Sequence, residues 1–526
     1  MSETYEKLYA RFSEARSFKD RWLALYKDLY FYVIPDRDAF NVKFNYRDDG
    51  KPNTQMIWDN TALLAAYQRA NDLHGLLMPK DRIWGKLLLD PHLFDPDLIK
   101  KSQSFMDDVN DRIYFYINES NLSRVVSSSN LDLVGGTGVI WVESLSDDVP
   151  LYFRSVPAVA TYIEYSTDDL VNTAWFASKK TGRQILEEFP DYAGKMRQAL
   201  IDLPNDTITV NYGQIKYNDD LFFIYAVLDD DPFTPLFNVY RDYPQLLIYR
   251  DRVRPGEAEG RGIALDMMPS IKDLNRITEY SRKSMQWKAY PTMFYDAGTY
   301  FNPFAIRQWA GAMIARSQQG RNPMEALNIP DHPEVLQQIQ HLQEFVMRGF
   351  QVDPLGEIQT PVRSATEISI RENRAQRTSA TDISRLINEQ PKQIYEVAAK
   401  ILNSRGLLTG KKQQIPEFDP AQLRFHFQSP LYDIQNKQDV NNFIANCQIK
   451  QQFFGQGAAM MSTNLVEVNN FLTEKFNLPH KLFATDDELK KALAIAGEAQ
   501  AQQGALPTPS TSASPVQLPQ EQGVTI

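Results

Sequence analysis

Leu131-Asp132-Leu133-Val134-Gly135-Gly136-Thr137-Gly138-Val139-Ile140 places three glycines between an apolar stretch and a β-branched run. A phosphate-binding loop has the order strand, glycine turn, helix. Here the order is helix, glycines, strand, and Trp141 holds the position of the third fingerprint glycine. The glycines therefore predict a helix C-cap that leads into a strand, not a nucleotide cradle. The junction separates a helical N-terminal region from a strand-bearing middle.

Upstream of it, Leu8, Phe12, Ala15, Trp22, Leu25, Tyr26, Leu29 and Tyr30 recur at helical spacing between Tyr5 and Ile34, with Pro35 as a stop. A second helix is predicted from about Thr61 to Leu77, closed by Pro79, and a third from about Pro96 to Glu119. Downstream, Val139–Val142, Leu151–Phe153 and Thr161–Ile163 are β-branched or aromatic runs. Thr207–Val210, Leu221–Val227 and Leu246–Tyr249 are further strands, and Arg183–Leu200 is a helix between them. The expected class is α+β, mainly helical, with antiparallel strands packed on helices.

After Gly256 the helical period returns. Pro269 to Ala289 reads as a polar helix about 30 Å long with a thin apolar stripe at Ile271, Leu274, Ile277 and Met285. Residues 290–333 are irregular and rich in proline and glycine. Asp331-His332-Pro333-Glu334 opens a further helix whose apolar face is Val335, Ile339, Leu342, Phe345 and Val346. Residues 351–363 form a short loop, and Ser364-Ala365-Thr366-Glu367 is a capping box that opens a long helical stretch to about Leu402, kinked at Pro391 and ended by Gly406. Residues 430–497 read as short and helical. Residues 498–526 lack Lys and Arg, are rich in Gln, Ala, Ser and Pro, and are expected to be disordered.

The whole chain has 526 residues, 43% apolar, and a formal charge of −10. That length suggests three or four structural units and a core that needs no disulfide or metal to fold. The acidic balance, with a pI near 5.3, argues against a broad basic nucleic-acid surface. One cysteine, Cys447, excludes an intramolecular disulfide framework and a Cys-rich zinc module, and suggests a reducing compartment. No apolar run reaches the roughly 18 residues of a membrane helix. The polar, acidic start Met1-Ser2-Glu3 is no secretory signal. The expected product is a soluble protein made in the cytoplasm.

Signatures of catalysis are missing. Gly194-Lys195 and Gly410-Lys411 lack the following Ser or Thr of an ATP-binding loop. The six histidines His74, His92, His332, His341, His426 and His480 show no zinc-hydrolase spacing. Asp229-Asp230-Asp231 and Asp147-Asp148 can bind a divalent ion in principle, but read more simply as solvated turns. No nucleophile elbow occurs. The expectation is no catalytic residue, no cofactor and no metal. The charge pattern says more. Arg282, Lys283, Lys288, Arg307, Arg316 and Arg321 stand against only Asp296 and Glu325 between Arg282 and Glu325. Arg363, Arg371, Arg374 and Arg377 cluster against Glu367 and Glu372. Either these are solvated faces and subunit salt bridges, or a polyanion lies close to the region.

The order of segments resembles a viral portal protein, specifically the head-to-tail connector of short-tailed, podovirus-type bacteriophages. Leu131–Ile140 is similar to that family's helix-glycine-strand junction. Gly256-Glu257-Ala258-Glu259-Gly260-Arg261-Gly262, followed by Asp273-Leu274-Asn275, resembles its approach to the first stem helix. Arg363-Ser364-Ala365-Thr366-Glu367-Ile368 resembles the start of its long wing helix, and Ser429-Pro430-Leu431 its approach to the crown. Each motif is short. Their order over about residues 5–480 is the specific feature.

The resemblance implies a portal-type fold: wing 1–260, first stem helix 261–289, clip 290–333, second stem helix 334–350, channel loop 351–363, returning wing helix 364–425, crown 426–497 and disordered tail 498–526. It implies a homododecamer, a ring of about twelve copies around a central channel at one capsid vertex. It further implies a virion location, genome packaging by a separate large terminase, and genome ejection through the same channel. The implied partners are other copies of the chain, the major capsid and scaffolding proteins, the terminase, a tail adaptor, and double-stranded DNA held non-specifically; no membrane is implied. Such a ring would carry a formal charge of about −120, so DNA would be mostly repelled and would slide past sparse basic rings. The DNA-channel candidates are Arg282, Lys283, Lys288, Arg348 and Arg363, each of which can instead bridge neighbouring stem helices. Arg307, Arg316 and Arg321 are candidates for the clip surface that faces terminase and adaptor. Two other readings compete: another capsid or tail-tube component, and a soluble metabolic enzyme with residues 290–333 as a lid.

Overall fold

The computed structural model describes residues 2–35, 57–80, 83–89, 92, 96–146, 148–166, 171–218, 221–289, 293–295, 324–326, 333–352, 385–408, 423–428, 439–440, 442–450, 452–453 and 468. Arg307, Arg316, Arg321 and Arg363 lie outside these residues, as do most of 290–333, nearly all of 351–384 and the whole of 498–526. The chain divides into two compact units, Met1–Leu431 and Tyr432–Ile526. In the second, residues 442–450 are helical, Val440 is buried and Cys447 is half-buried.

Two helices open the first unit, α1 (Ser2–Asp20) and α2 (Leu23–Tyr32). The sequence predicts one helix here. It breaks at Arg21 and Trp22 because its two halves face different cores. Tyr5, Leu8, Phe12 and Ala15 pack with Trp175, Ile215, Tyr225 and Val227 of a sheet. Tyr26, Leu29 and Tyr30 pack among helices. Next come α3 (Thr61–Leu77), β1 (Gly85–Leu89), α4 (Pro96–Glu119) and α5 (Leu122–Gly135). The junction then passes into β2 (Thr137–Glu143), β3 (Tyr152–Ser155), β4 (Thr161–Ile163) and β5 (Thr173–Thr181).

The single helix expected over Arg183–Leu200 is two: α6 (Gly182–Glu188) and α7 (Arg197–Asp202). Pro190 cannot continue the first, and α6 instead gains a capping box in which Thr181 and Gln184 satisfy each other's backbone. Strands β6 (Thr207–Asn218), β7 (Leu221–Leu228), β8 (Pro235–Arg241) and β9 (Leu246–Arg250) follow. Two antiparallel sheets result, with strand orders β3-β2-β9 and β4-β5-β6-β7-β8. Their apolar faces share one core, in which Val139, Trp141, Phe176, Tyr212 and Ile248 are buried.

The long helix α8 (Ile263–Ala289) starts before Pro269, which lies inside it. Proline favours a first turn, so the sequence alone puts the start too late. Ala264 and Met268 extend the buried face of Ile271 and Leu274 backward, and that packing outweighs one lost backbone bond. Beyond α8, β10 (Met293–Tyr295) and β11 (Met324–Ala326) pair antiparallel and close the root of the proline-rich excursion within one chain. Then come α9 (Pro333–Gly349), α10 (Pro391–Ser404) and β12 (Leu423–Phe427). Pro391 opens α10, with helical turns at 385–389 before it, and Gly406 follows its end.

Strand β12 pairs with β1, Gly85 opposite Phe427 and Leu89 opposite Leu423. The sequence reading missed both strands. Strand β12 spans the expected boundary between the returning wing helix and the crown at 425–426. Each strand is five residues long, and its partner is more than 330 positions away, so no local signal marks the pair.

Candidate functional site

Helices α8 and α9 run antiparallel, with Gly349 at the end of α9 against Met267 near the start of α8. Their near ends share a core: Ala264, Met268, Ile271 and Leu274 on one, Val346 and Phe350 on the other, closed by Tyr30, Val33 and Ala66. Residues 57–60 strap the pair together. The Trp58 backbone N–H donates to Asn275 Oδ1 at 2.7 Å, and Gln343 Nε2 donates to Asp59 Oδ2 at 2.7 Å. Lys272 adds an ion pair to Asp28 of α2 at 2.6 Å.

Several large apolar side chains of the pair remain exposed. Tyr280, Met285 and Trp287 of α8 are 59%, 54% and 63% exposed, and Leu336 and Phe345 of α9 are 50% and 48% exposed. Met285, expected in the apolar stripe, and Phe345, expected on the buried face, are thus each about half exposed. Large exposed apolar side chains are candidates for a surface that meets another molecule.

The root of α8 is built on the glycine junction. Gly136 caps α5 at φ +129, a conformation open to glycine alone, and a Cβ there would lie 2.2 Å from the Gly260 carbonyl oxygen. Gly260 in turn sits against Gly136, and Gly262 against Val134. The backbones touch because none carries a side chain. Gly262 N–H donates to Gly135 O at 3.1 Å and Asp251 N–H to Gly136 O at 2.8 Å. The two glycine-bearing motifs of the sequence are thus one structural element.

Two buried ion pairs flank it. Lys19 Nζ donates to Glu259 Oε1 at 2.7 Å and to the Ala158 carbonyl at 2.8 Å. Tyr26 and Thr137 hydroxyls donate to the other Glu259 oxygen at 2.9 and 3.1 Å. Burial pushes the Lys19 ammonium below its ordinary pKa, while Glu259 opposes that shift. Burial, and then the Glu259 charge, raise the Tyr26 hydroxyl well above its usual range, so it remains a donor. On the other side, Glu389 accepts from the Arg250 backbone at 2.7 Å, from the Arg250 guanidinium at 3.2 Å and from Arg385 at 3.0 Å. Gln390, fully buried, donates to Asn130 Oδ1 of α5 at 2.9 Å. The chain leaves for α8 beside Glu259 and returns into α10 beside Glu389. Sequence reasoning found neither pair, since the partners are separated by 240 and 139 positions.

Among the predicted basic residues, four lie on the α8–α9 pair. The Arg282 guanidinium stacks over Trp58 at 5.9 Å. Lys283 pairs with Glu279 at 2.5 Å and Arg348 with Glu344 at 3.5 Å, both one helical turn apart and exposed. Lys288 is exposed in the last turn of α8. The structure brings them to one helical hairpin but not to a single contact cluster. Asp229 and Asp231, the acidic-turn candidates, are used internally: Asp231 accepts from Tyr192 at 3.0 Å and Asp229 from Asn211 at 2.9 Å. No group of carboxylates, histidines or cysteines arranged to hold a metal occurs among the described residues, and no described helix is long and apolar enough to cross a membrane.

No curated protein matches the chain. The family model described as "Bacteriophage head to tail connecting protein" matches residues 3–483, which take in the glycine junction, both buried ion pairs and the α8–α9 hairpin. The chain belongs to the bacteriophage head-to-tail connecting protein family.

Proposed function

We propose that the protein is the portal subunit of a podovirus-type phage, a non-catalytic ring of about twelve copies whose channel carries double-stranded DNA. The observation that carries this reading is the far half of the α8–α9 hairpin. It leaves Tyr280, Met285 and Trp287 exposed while the near half is anchored by a shared core and by the contacts of Asn275, Gln343 and Lys272. A helix this polar with a thin apolar stripe is unstable alone and gains its partner from the next copy. In this reading α8 and α9 are the stem, 290–333 is the clip, and 351–363 reaches the channel.

The clip, with Arg307, Arg316 and Arg321, would meet the large terminase during packaging and the tail adaptor afterwards; the wing would meet capsid and scaffolding proteins. Arg282, Lys283, Lys288, Arg348 and Arg363 would line the channel at intervals. Their weak exposed contacts suit a polymer that has to move, because each firmly neutralised phosphate adds to binding and slows transit. Membership of a connecting-protein family and the exposed hairpin both support the reading. Native mass spectrometry of the purified full chain tests it. A closed ring of about twelve copies is the expected result, and a monomer or dimer at micromolar concentration would refute it. ATP turnover by the purified ring would refute the non-catalytic part.

A further inference from the structure

An open groove of about 460 Å³ lies between α3 and α5. Its floor is apolar, from Ala70 and Leu131, and its rim is polar and cationic, from Asn71, Lys80, Arg124 and Ser127. Neither Lys80 nor Arg124 has an ion-pair partner among the described residues, and no described carboxylate lines the groove. Both are exposed, so their charge is open to a ligand from solvent.

His74 stands between this groove and a small cleft behind it that Trp84 and Met78 close. Its Nε2 is 3.0 Å from Ser123 Oγ, and its Nδ1 is buried with no partner. Burial, aided by Lys80, holds the imidazole below its ordinary pKa. The ring is therefore neutral at neutral pH, and the site keeps both a proton donor and an acceptor beside its two cations. Ser127 Oγ is held by Asn71 Oδ1 at 3.2 Å, so the hydroxyl and the amide are positioned together on the rim.

We propose that this groove binds a phosphate group. The groove is lined by donors from α3, from Lys80 beyond its end and from Arg124 of α5, and guanidinium and ammonium groups are the usual protein partners of phosphate oxygens. The apolar floor has room for the organic part of a phosphate ester, and most small-molecule sites combine an apolar lining with a few polar groups in this way. The inference does not depend on the portal reading, since it uses neither the hairpin nor the channel candidates.

The test uses the full-length protein, with inorganic phosphate followed by ³¹P line broadening and an oligothymidylate of about ten nucleotides followed by fluorescence anisotropy. Saturable phosphate binding should weaken about tenfold in Arg124→Ala, as expected for one charge-assisted contact, and largely return in Arg124→Lys. Ser127→Ala, which alters only the rim, should weaken it less. Both substitutions are at the surface, and unchanged melting confirms that the fold is intact. Oligonucleotide binding with the same Arg124 dependence identifies a nucleic-acid backbone as the source. Phosphate binding alone identifies a free phosphate or phosphate ester. No saturable binding of either probe, or binding indifferent to Arg124→Ala, overturns the proposal.

Discussion

Gly136→Ala changes one hydrogen into a methyl group at the point where α5, β2 and the root of α8 meet. The new Cβ would lie 2.2 Å from Gly260 O, 2.5 Å from Gly260 C and 2.7 Å from Gly262 N, all backbone atoms that cannot rotate away. Restoring ordinary contact moves the Gly260 strand by about 1 Å, an overpacking that costs about 1–3 kcal/mol. The φ of +129 adds about 1–3 kcal/mol of backbone strain. The displacement also draws the Gly260 N–H from Thr137 Oγ1 and the Glu259 carboxylate from Lys19. A loss of about 3–5 kcal/mol follows, which is a large share of a typical folding stability. In a chain of two units the first thermal transition is the proper readout, and it should fall by about 3–6 °C. Hydrogen exchange at 259–265 should rise with it. Gly75→Ala is the control: the same methyl in α3 meets nothing within 4 Å and should leave stability unchanged or raise it by up to about 1 kcal/mol. A Gly136→Ala protein that melts within about 2 °C of the parent would show that the two motifs do not bear on one another, and the reasoning would fail.

Lys19→Met and Glu259→Gln should each cost about 3–5 kcal/mol, because each strands a buried partner, whereas the double substitution should cost well under the sum; additive losses in urea melts would mean that the pair is not coupled. Arg348→Ala and Lys283→Ala remove exposed intrahelical pairs worth about 0.3–0.5 kcal/mol, so assembly should persist while DNA retention in filled heads changes. Arg348→Ala rings that fail to form would place that residue in the subunit interface instead. Trp287→Ser should leave the melting of the first unit unchanged and reduce the assembled mass seen in native spectra, and an unaltered oligomer would remove this side chain from the interface.

The local grammar of the chain was legible where one residue decides one local event. Gly135 and Gly136 end α5, Leu77 is followed by the stop at Pro79, and Gly406 follows α10, as cap and breaker chemistry requires. The helical period of α4 and α8 and the β-branched runs of β2, β7 and β9 were also readable, because burial of one face writes its period into neighbouring residues. The basic residues of the hairpin could be named, but not their surroundings. Nothing near Arg282 in sequence announces Trp58, and nothing near Lys283 shows whether it faces solvent or a neighbour.

Other features had no local cause. α1 and α2 are continuous in period, yet they separate because a sheet and a helical core lie in different directions from Trp22. β1 and β12 are weak strands that exist only because each supplies the other's backbone partners. Lys19 and Glu259 look like ordinary surface charges until folding buries both, at 3% and 4% exposure. The glycines of 135–138 announced a helix end, but not that they would touch the backbone of 260–262. Secondary structure follows from interactions a few residues apart, so a single chain segment carries it. The β1–β12 pairing, the buried Lys19–Glu259 charge and the contact of the two glycine motifs join residues about 120 to 340 positions apart, and only the packed structure brings such residues within reach of one another.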